Sequence, residues 1–139
     1  METKVVDMDD LKVRALMAAD NVDRETAISA IEDGDWLVCT DEEADEAATD
    51  YIRESLWAFR PEFLAGETGL DAEMFAFASD KCEGANPAIL RTVEATCGLE
   101  SFVQSAIGAD GRGHFLAGYD GNEVEETIDG VDFYLYRVS

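Results

Sequence analysis

Six carboxylates fall within ten residues at Asp41, Glu42, Glu43, Asp45, Glu46 and Asp50, with no cation among them. On a helix rising ~1.5 Å per residue they span ~15 Å, about one charge per 2.5 Å of axis, against one per ~1.7 Å in duplex DNA. The chemistry of such a face is electrostatic. It would suit a basic groove that otherwise takes a phosphate backbone, and a rigid helix would present it without the ordering entropy a disordered acidic tail must lose. A solvated helix end carries the same residue types, so the count alone leaves both readings open.

The second chemically suggestive stretch is ADGRGHFLAGYDGN at 109–122, which contains the only histidine. His114 with Asp110 or Asp120 has the composition of a general base and its orienting carboxylate, and Ser101, Ser105 and Tyr119 offer hydroxyls. No spacing here dictates that geometry, and a lone histidine among glycines more often fastens the backbone of its own loop. Asp120, Asn122, Glu123, Glu125 and Glu126 supply oxygen ligands, yet the Asp-x-Asp-x-Asp-Gly order of a calcium loop is absent. Cys39, Cys82 and Cys97 are widely spaced, without a CxxC or HxxxH pair, and read as core thiols. No metal and no cofactor is expected. Gly111, Gly113, Gly118 and Gly121 suit positive φ or close backbone approach, with Phe115, Leu116 and Tyr119 as anchors. The stretch is therefore expected to be a shaped loop, with Arg112, His114, Tyr119 and Asp120 as its contact residues.

Charge narrows the partners. The 139 residues include 32 acidic and 10 basic side chains, three of them lysine, for a net charge of −22. Such a surface repels polyanions and anionic membranes, which leaves a basic partner, bound cations or plain solubility. A protein of a salty cytoplasm would show the same excess. No apolar run approaches the ~18 residues of a membrane span, and METKVVDMDD lacks the layout of a secretory signal. A cytoplasmic protein is expected.

The elements that must position these groups follow from spacing. Thr40 and Glu43 form a capping box that starts a helix over Thr40–Phe59, with Ala44, Ala47, Ala48, Tyr51, Ile52, Ser55, Leu56 and Phe59 as its apolar stripe and Pro61 beyond its end. Upstream, Asp7 caps a helix over 7–19 with Leu11, Ala15, Ala18 and Ala19 inward. Asp23 caps a shorter helix carrying Ala27, Ile28 and Ile31. Trp36–Cys39 reads as a short buried strand, paired with Phe133–Val138. Asp129-Gly130 signals a hairpin from a third strand at Glu123–Thr127. Between them lie one helical turn over Pro61–Ala65 closed by Gly66 and a helix from Thr68 or Asp71 to Glu83 with Met74, Phe75, Ala78 and Cys82 inward. A helix capped by Asn86 before Pro87 follows, then a last helix ending near Gly108. The sum is an α+β fold: a predominantly helical single domain, with a small antiparallel sheet formed by a central short strand and a C-terminal hairpin. Residues 1–35 form a helical cap on a 36–139 body.

WLVCTDEEADEAATDYIRESLWAF at 36–59, DGRGHFLAGYDGNE at 110–123 and FYLYRVS at 133–139 together resemble a family of small acidic proteins of bacteriophages and prophages. The shared pattern falls on Thr40–Asp45, Gly111–His114 and Tyr119–Glu123 and covers roughly the last hundred residues. Val124–Val131 looks like a longer acidic insertion, and the segment before Asp35 is distinct. The resemblance implies a viral or mobile-element origin and an accessory role in the host cytoplasm. In composition such proteins are similar to anti-CRISPR and antirestriction inhibitors. The expectation is thus a non-enzymatic binder of a basic site on a host nucleic-acid-handling complex, a DNA mimic in its electrostatics. The alternatives are a small hydrolase-like or cation-binding protein using the 109–122 loop, or a virion or assembly component.

Overall fold

The computed structural model describes residues 7–79 and 82–139. In chain order the elements are α1 (Met8–Asp20), α2 (Arg24–Glu32), β1 (Trp36–Cys39), α3 (Asp41–Glu54), α4 (Pro61–Thr68) and α5 (Ala72–Ser79), followed by α6 (Asn86–Ala95), α7 (Leu99–Asp110), α8 (Arg112–Leu116), β2 (Val124–Ile128) and β3 (Val131–Arg137). Short 3-10 turns at Leu56–Ala58 and Cys82–Ala85 complete them. This is the expected α+β class, helices with one small antiparallel sheet in the order β1-β3-β2. The chain divides into two compact units: one runs up to Glu46 and resumes over Arg112–Ser139, and the other is Ala47–Gly111.

In the first unit the local signals act as their chemistry dictates. The Asp7 carboxylate accepts from the backbone N–H groups of Asp9 and Asp10 at 3.1 and 3.3 Å, and Asp23 accepts from Thr26 at 2.8 Å, so both helices begin on side-chain caps. Asp129 and Gly130 take φ of 51° and 80°, the double positive pair of a tight hairpin whose twist matches its strands. The register sets Val38 against Leu135 and Cys39 against Tyr134. Alternation then sorts the sheet into two faces. Trp36, Val38, Phe133 and Leu135 pack with Leu11, Ala15, Leu16 and Ala27, while Cys39 and Tyr136 pack with Ala44 and Ala117. Leu11 and Ala15 face inward as expected and Leu16 joins them, while Ala18 is exposed and Ala19 half-buried.

The second unit is helical around Ile52, Leu56, Leu64, Phe75, Ile89, Val93, Phe102 and Val103. The Phe59, Phe63 and Phe102 rings meet at centroid distances of 5.1 to 5.6 Å. Here several expected boundaries move. The long helix stops at Glu54 because the buried amide of Asn86 enters its ladder. Nδ2 donates to the Arg53 carbonyl at 2.8 Å and Oδ1 accepts from Trp57 N–H at 3.2 Å, the two groups that would have bonded each other had the helix continued. Asn86 is therefore not the cap of α6; it is that helix's first residue, spent on another segment. Gly66 sits inside α4, which runs on to an αL stop at Gly69, and Gly108 sits inside α7. Tyr51 is exposed. In α5, Phe75 is buried and Met74 faces out; the helix's expected continuation through residues 80 and 81, and the inward placement of Cys82, lie outside the described residues. Cys39 is buried and Cys97 half-buried, both free thiols.

Candidate functional site

The 109–122 stretch is not wholly loop: α8 occupies five of its residues, and its glycines decide why it can sit where it does. A Cβ on Gly113 would lie 2.6 Å from the Gly121 carbonyl oxygen and 2.8 Å from the Asn122 carbonyl carbon, so the helix backbone rests directly on the chain that leads into β2. Gly111 at φ 81° makes the turn that ends α7. Phe115 is buried, as an anchor should be. Tyr119 is 61% exposed and instead carries the Arg137 guanidinium over its ring at 3.9 Å.

That placement delivers Arg112 to the start of α3. Its side chain is only a tenth exposed. Nη1 donates to Asp41 Oδ1 at 2.8 Å, to the Asp41 carbonyl at 3.2 Å and to Asp45 Oδ1 at 3.1 Å, while Nε donates to Glu123 Oε1 at 2.9 Å. The guanidinium carbon lies 4.6 Å from the centre of the Tyr134 ring, a cation–π contact, and the Tyr136 hydroxyl donates to the same Glu123 oxygen. Burial works against the Arg112 charge, but its hydrogen bond to Asp41 and the neighbouring acidic groups outweigh it, so its pKa is raised. Burial, then the bond to Glu123, pushes the Tyr136 phenol up as well. One permanent cation thus holds together residues 41, 45, 112, 123 and 134.

The other acidic residues divide. Thr40 and Glu43 close the capping box, with Thr40 N–H donating to Glu43 at 2.9 Å and Glu43 N–H to the Thr40 hydroxyl at 3.4 Å. The Thr40 backbone bond and Lys12, at 3.0 Å, outweigh partial burial and hold the Glu43 carboxyl below its ordinary range. Asp50 meets Arg53 at 3.5 Å on the helix surface. Glu42 and Glu46, one turn apart and exposed, have no ion pair among the described residues. Three cations therefore stand among the six carboxylates. The net density falls to about one charge per 5 Å of axis, well below the duplex spacing that the bare count approached.

His114 is exposed, its ring edge-on to Phe115 at a 4.9 Å centroid distance, and among the described residues no hydrogen bond joins it to Asp110 or Asp120. Asp120 accepts from Asn122 N–H at 3.0 Å, an Asx turn within its own loop. Among the described residues no three His, Cys, Asp or Glu side chains gather as a metal would require, and no helix is long and apolar enough to cross a membrane. A cleft of about 380 Å³ bordered by α1 and α2, with Val13, Ile28 and Ile31 along it and the Arg24–Asp10 ion pair at its lining, gave no sign of itself in the sequence. Neither did Glu123, Tyr134 and Tyr136 as partners of Arg112. Their alternation in and beside two strands is the one signal that could have placed them on a single face. No protein-family model, curated protein or solved structure matches this chain.

Proposed function

We propose that this chain is a non-enzymatic acidic binding protein whose partner presents a basic surface, of the kind a nucleic-acid-handling protein uses for phosphate. The observation that carries the reading is the net charge of −22 in a chain in which half of the ten cations are held by its own carboxylates. Lys12, Arg14, Arg24, Arg53 and Arg112 are all in internal ion pairs. The field of the whole molecule draws in a basic partner, and the pinned carboxylates at the start of α3 offer it a rigid edge led by Glu42 and Glu46. The resemblance to bacteriophage and prophage proteins supplies the setting, an accessory protein acting on a host complex in the host cytoplasm.

The test is capture from bacterial lysate at ionic strengths on the order of 0.05 M and 0.5 M, with and without competing duplex DNA. Retention of basic proteins that falls steeply with salt, yields to the DNA and weakens for the Glu42→Lys, Glu46→Lys double variant supports the reading. Retention indifferent to salt and competitor overturns it.

A further inference from the structure

α5 turns its apolar side the wrong way for a core helix. Phe75 is buried, but Phe77 is 72% and Met74 47% exposed, and Leu70, just before the helix, is 39% exposed. Successive helical residues advance about 100°, so Ala76, Glu73, Phe77 and Met74 share one outward arc, with Phe77 between Glu73 and Met74. Every charged residue from Pro61 to Ser79 is acidic: Glu62, Glu67, Asp71 and Glu73. Among the described residues none of these four is in an ion pair, unlike most carboxylates at the start of α3.

An apolar stripe with Glu73 beside Phe77 and Asp71 at the start of its helix, neither in an ion pair among the described residues, is complementary to a helix whose own apolar stripe is edged by lysine or arginine. A second copy of this chain would bring like charge against like. We infer that the outward face of α5, centred on Phe77 and Met74, docks a basic amphipathic helix of a partner protein. The occupant's apolar side chains cover the phenyl ring and the adaptable thioether, and its cations reach Glu73 and Asp71. The inference rests on the basic-partner reading and names the class of segment that partner presents.

The probes are a synthetic amphipathic helix of leucine and lysine and a permuted peptide of the same composition that cannot segregate its leucines. Each is titrated by fluorescence anisotropy into the full chain and into Phe77→Ser and Met74→Ser, with thermal melts of every variant. The expected result is tighter binding of the helical peptide, a preference of roughly tenfold to a hundredfold that Phe77→Ser erases, the worth of burying one phenyl ring. Binding of the permuted peptide and the melting temperature stay unchanged. If Phe77→Ser fails to fold, a smaller loss of preference in folded Met74→Ser supports the inference, and an unchanged preference overturns it. Equal binding of both peptides overturns the docking face while leaving the basic-partner reading intact; binding of neither overturns both. A dimer in sedimentation that Phe77→Ser dissociates makes a second copy the occupant and also overturns it.

Discussion

Arg112 in one unit and Asn86 in the other do the same mechanical job with different chemistry. Each is a largely buried polar side chain that fastens stretches of chain far apart in sequence, 41–45 to 112–134 in one case and 53–57 to 86 in the other. Asn86 is neutral and satisfies two backbone groups that a broken helix leaves open. Arg112 is a permanent charge set among three carboxylates and two tyrosines, so its strength depends on what the carboxylates do. The amide gives a joint indifferent to acid and salt, whereas the guanidinium gives one that both can loosen.

The sharpest way to break that comparison is Arg112→Ala, which leaves Asp41, Asp45 and Glu123 crowded without their cation. A loss of about 3 kcal/mol in urea unfolding is expected, and a loss smaller than that of Asn86→Ala would reduce the ion network to decoration. Next comes Gly113→Ala. Its methyl meets backbone rather than a flexible side chain, so α8 must lift from residues 121–123, at about 2–3 kcal/mol and with the Arg112 bonds lengthened. Asn86→Ala strands the Arg53 carbonyl and the Trp57 N–H and should cost about 2 kcal/mol, the same at high salt as at low. Native cysteines report which unit has opened. Burial, with nearby Glu43 adding to it, holds the Cys39 thiol at about 11, so iodoacetamide at about pH 8 should spare it until Arg112→Ala loosens its unit. Asn86→Ala should leave Cys39 protected and speed labelling of Cys97.

The smallest effect is in pH. The Glu43 carboxyl titrates lower folded than unfolded, so its contribution is complete above its ordinary value of 4.5 and is lost as acid carries the pH through the folded value. Tyr136 runs oppositely: its raised phenol contributes fully below the ordinary 10.0 and loses that contribution as alkali rises past it. Glu43→Gln should flatten the acid limb of a stability profile by about 0.5–1 kcal/mol and leave the alkaline limb alone. An acid limb unchanged by that substitution would move the acid sensitivity elsewhere.

What sequence made legible was local. The capping box at Thr40 and Glu43, the Asp7 and Asp23 caps, the Asp129-Gly130 hairpin and the positive-φ turns at Gly111 and Gly121 each depend on neighbours within a few residues, and each is where its chemistry puts it, whereas Gly113 and Gly118 answer to the more distant backbone of Gly121 and Val138. The pairing of β1 with β3 was readable because so few segments had strand character. Arg112 was placed among contact residues, but its ion partners lie up to 71 positions away, and no spacing rule spans that distance. Asn86 misled because an asparagine before proline satisfies the local rule for a cap, while tertiary structure had a more demanding use for it. In α5 the run Met74-Phe75-Ala76-Phe77-Ala78 is apolar in every direction, so periodicity set Met74 inward together with Phe75, and only Phe75 is buried.

β3 stands between β1 and β2, although it is the last of the three to be synthesised. A ribosome therefore finishes Ala47–Gly111, with every helix of that unit, while β1 still waits with its hydrogen-bonding edge bare for a neighbour about a hundred residues downstream. The inserted helical segment is in a position to fold first, and the flanking sheet can only be completed around a gap in the sequence that has already closed.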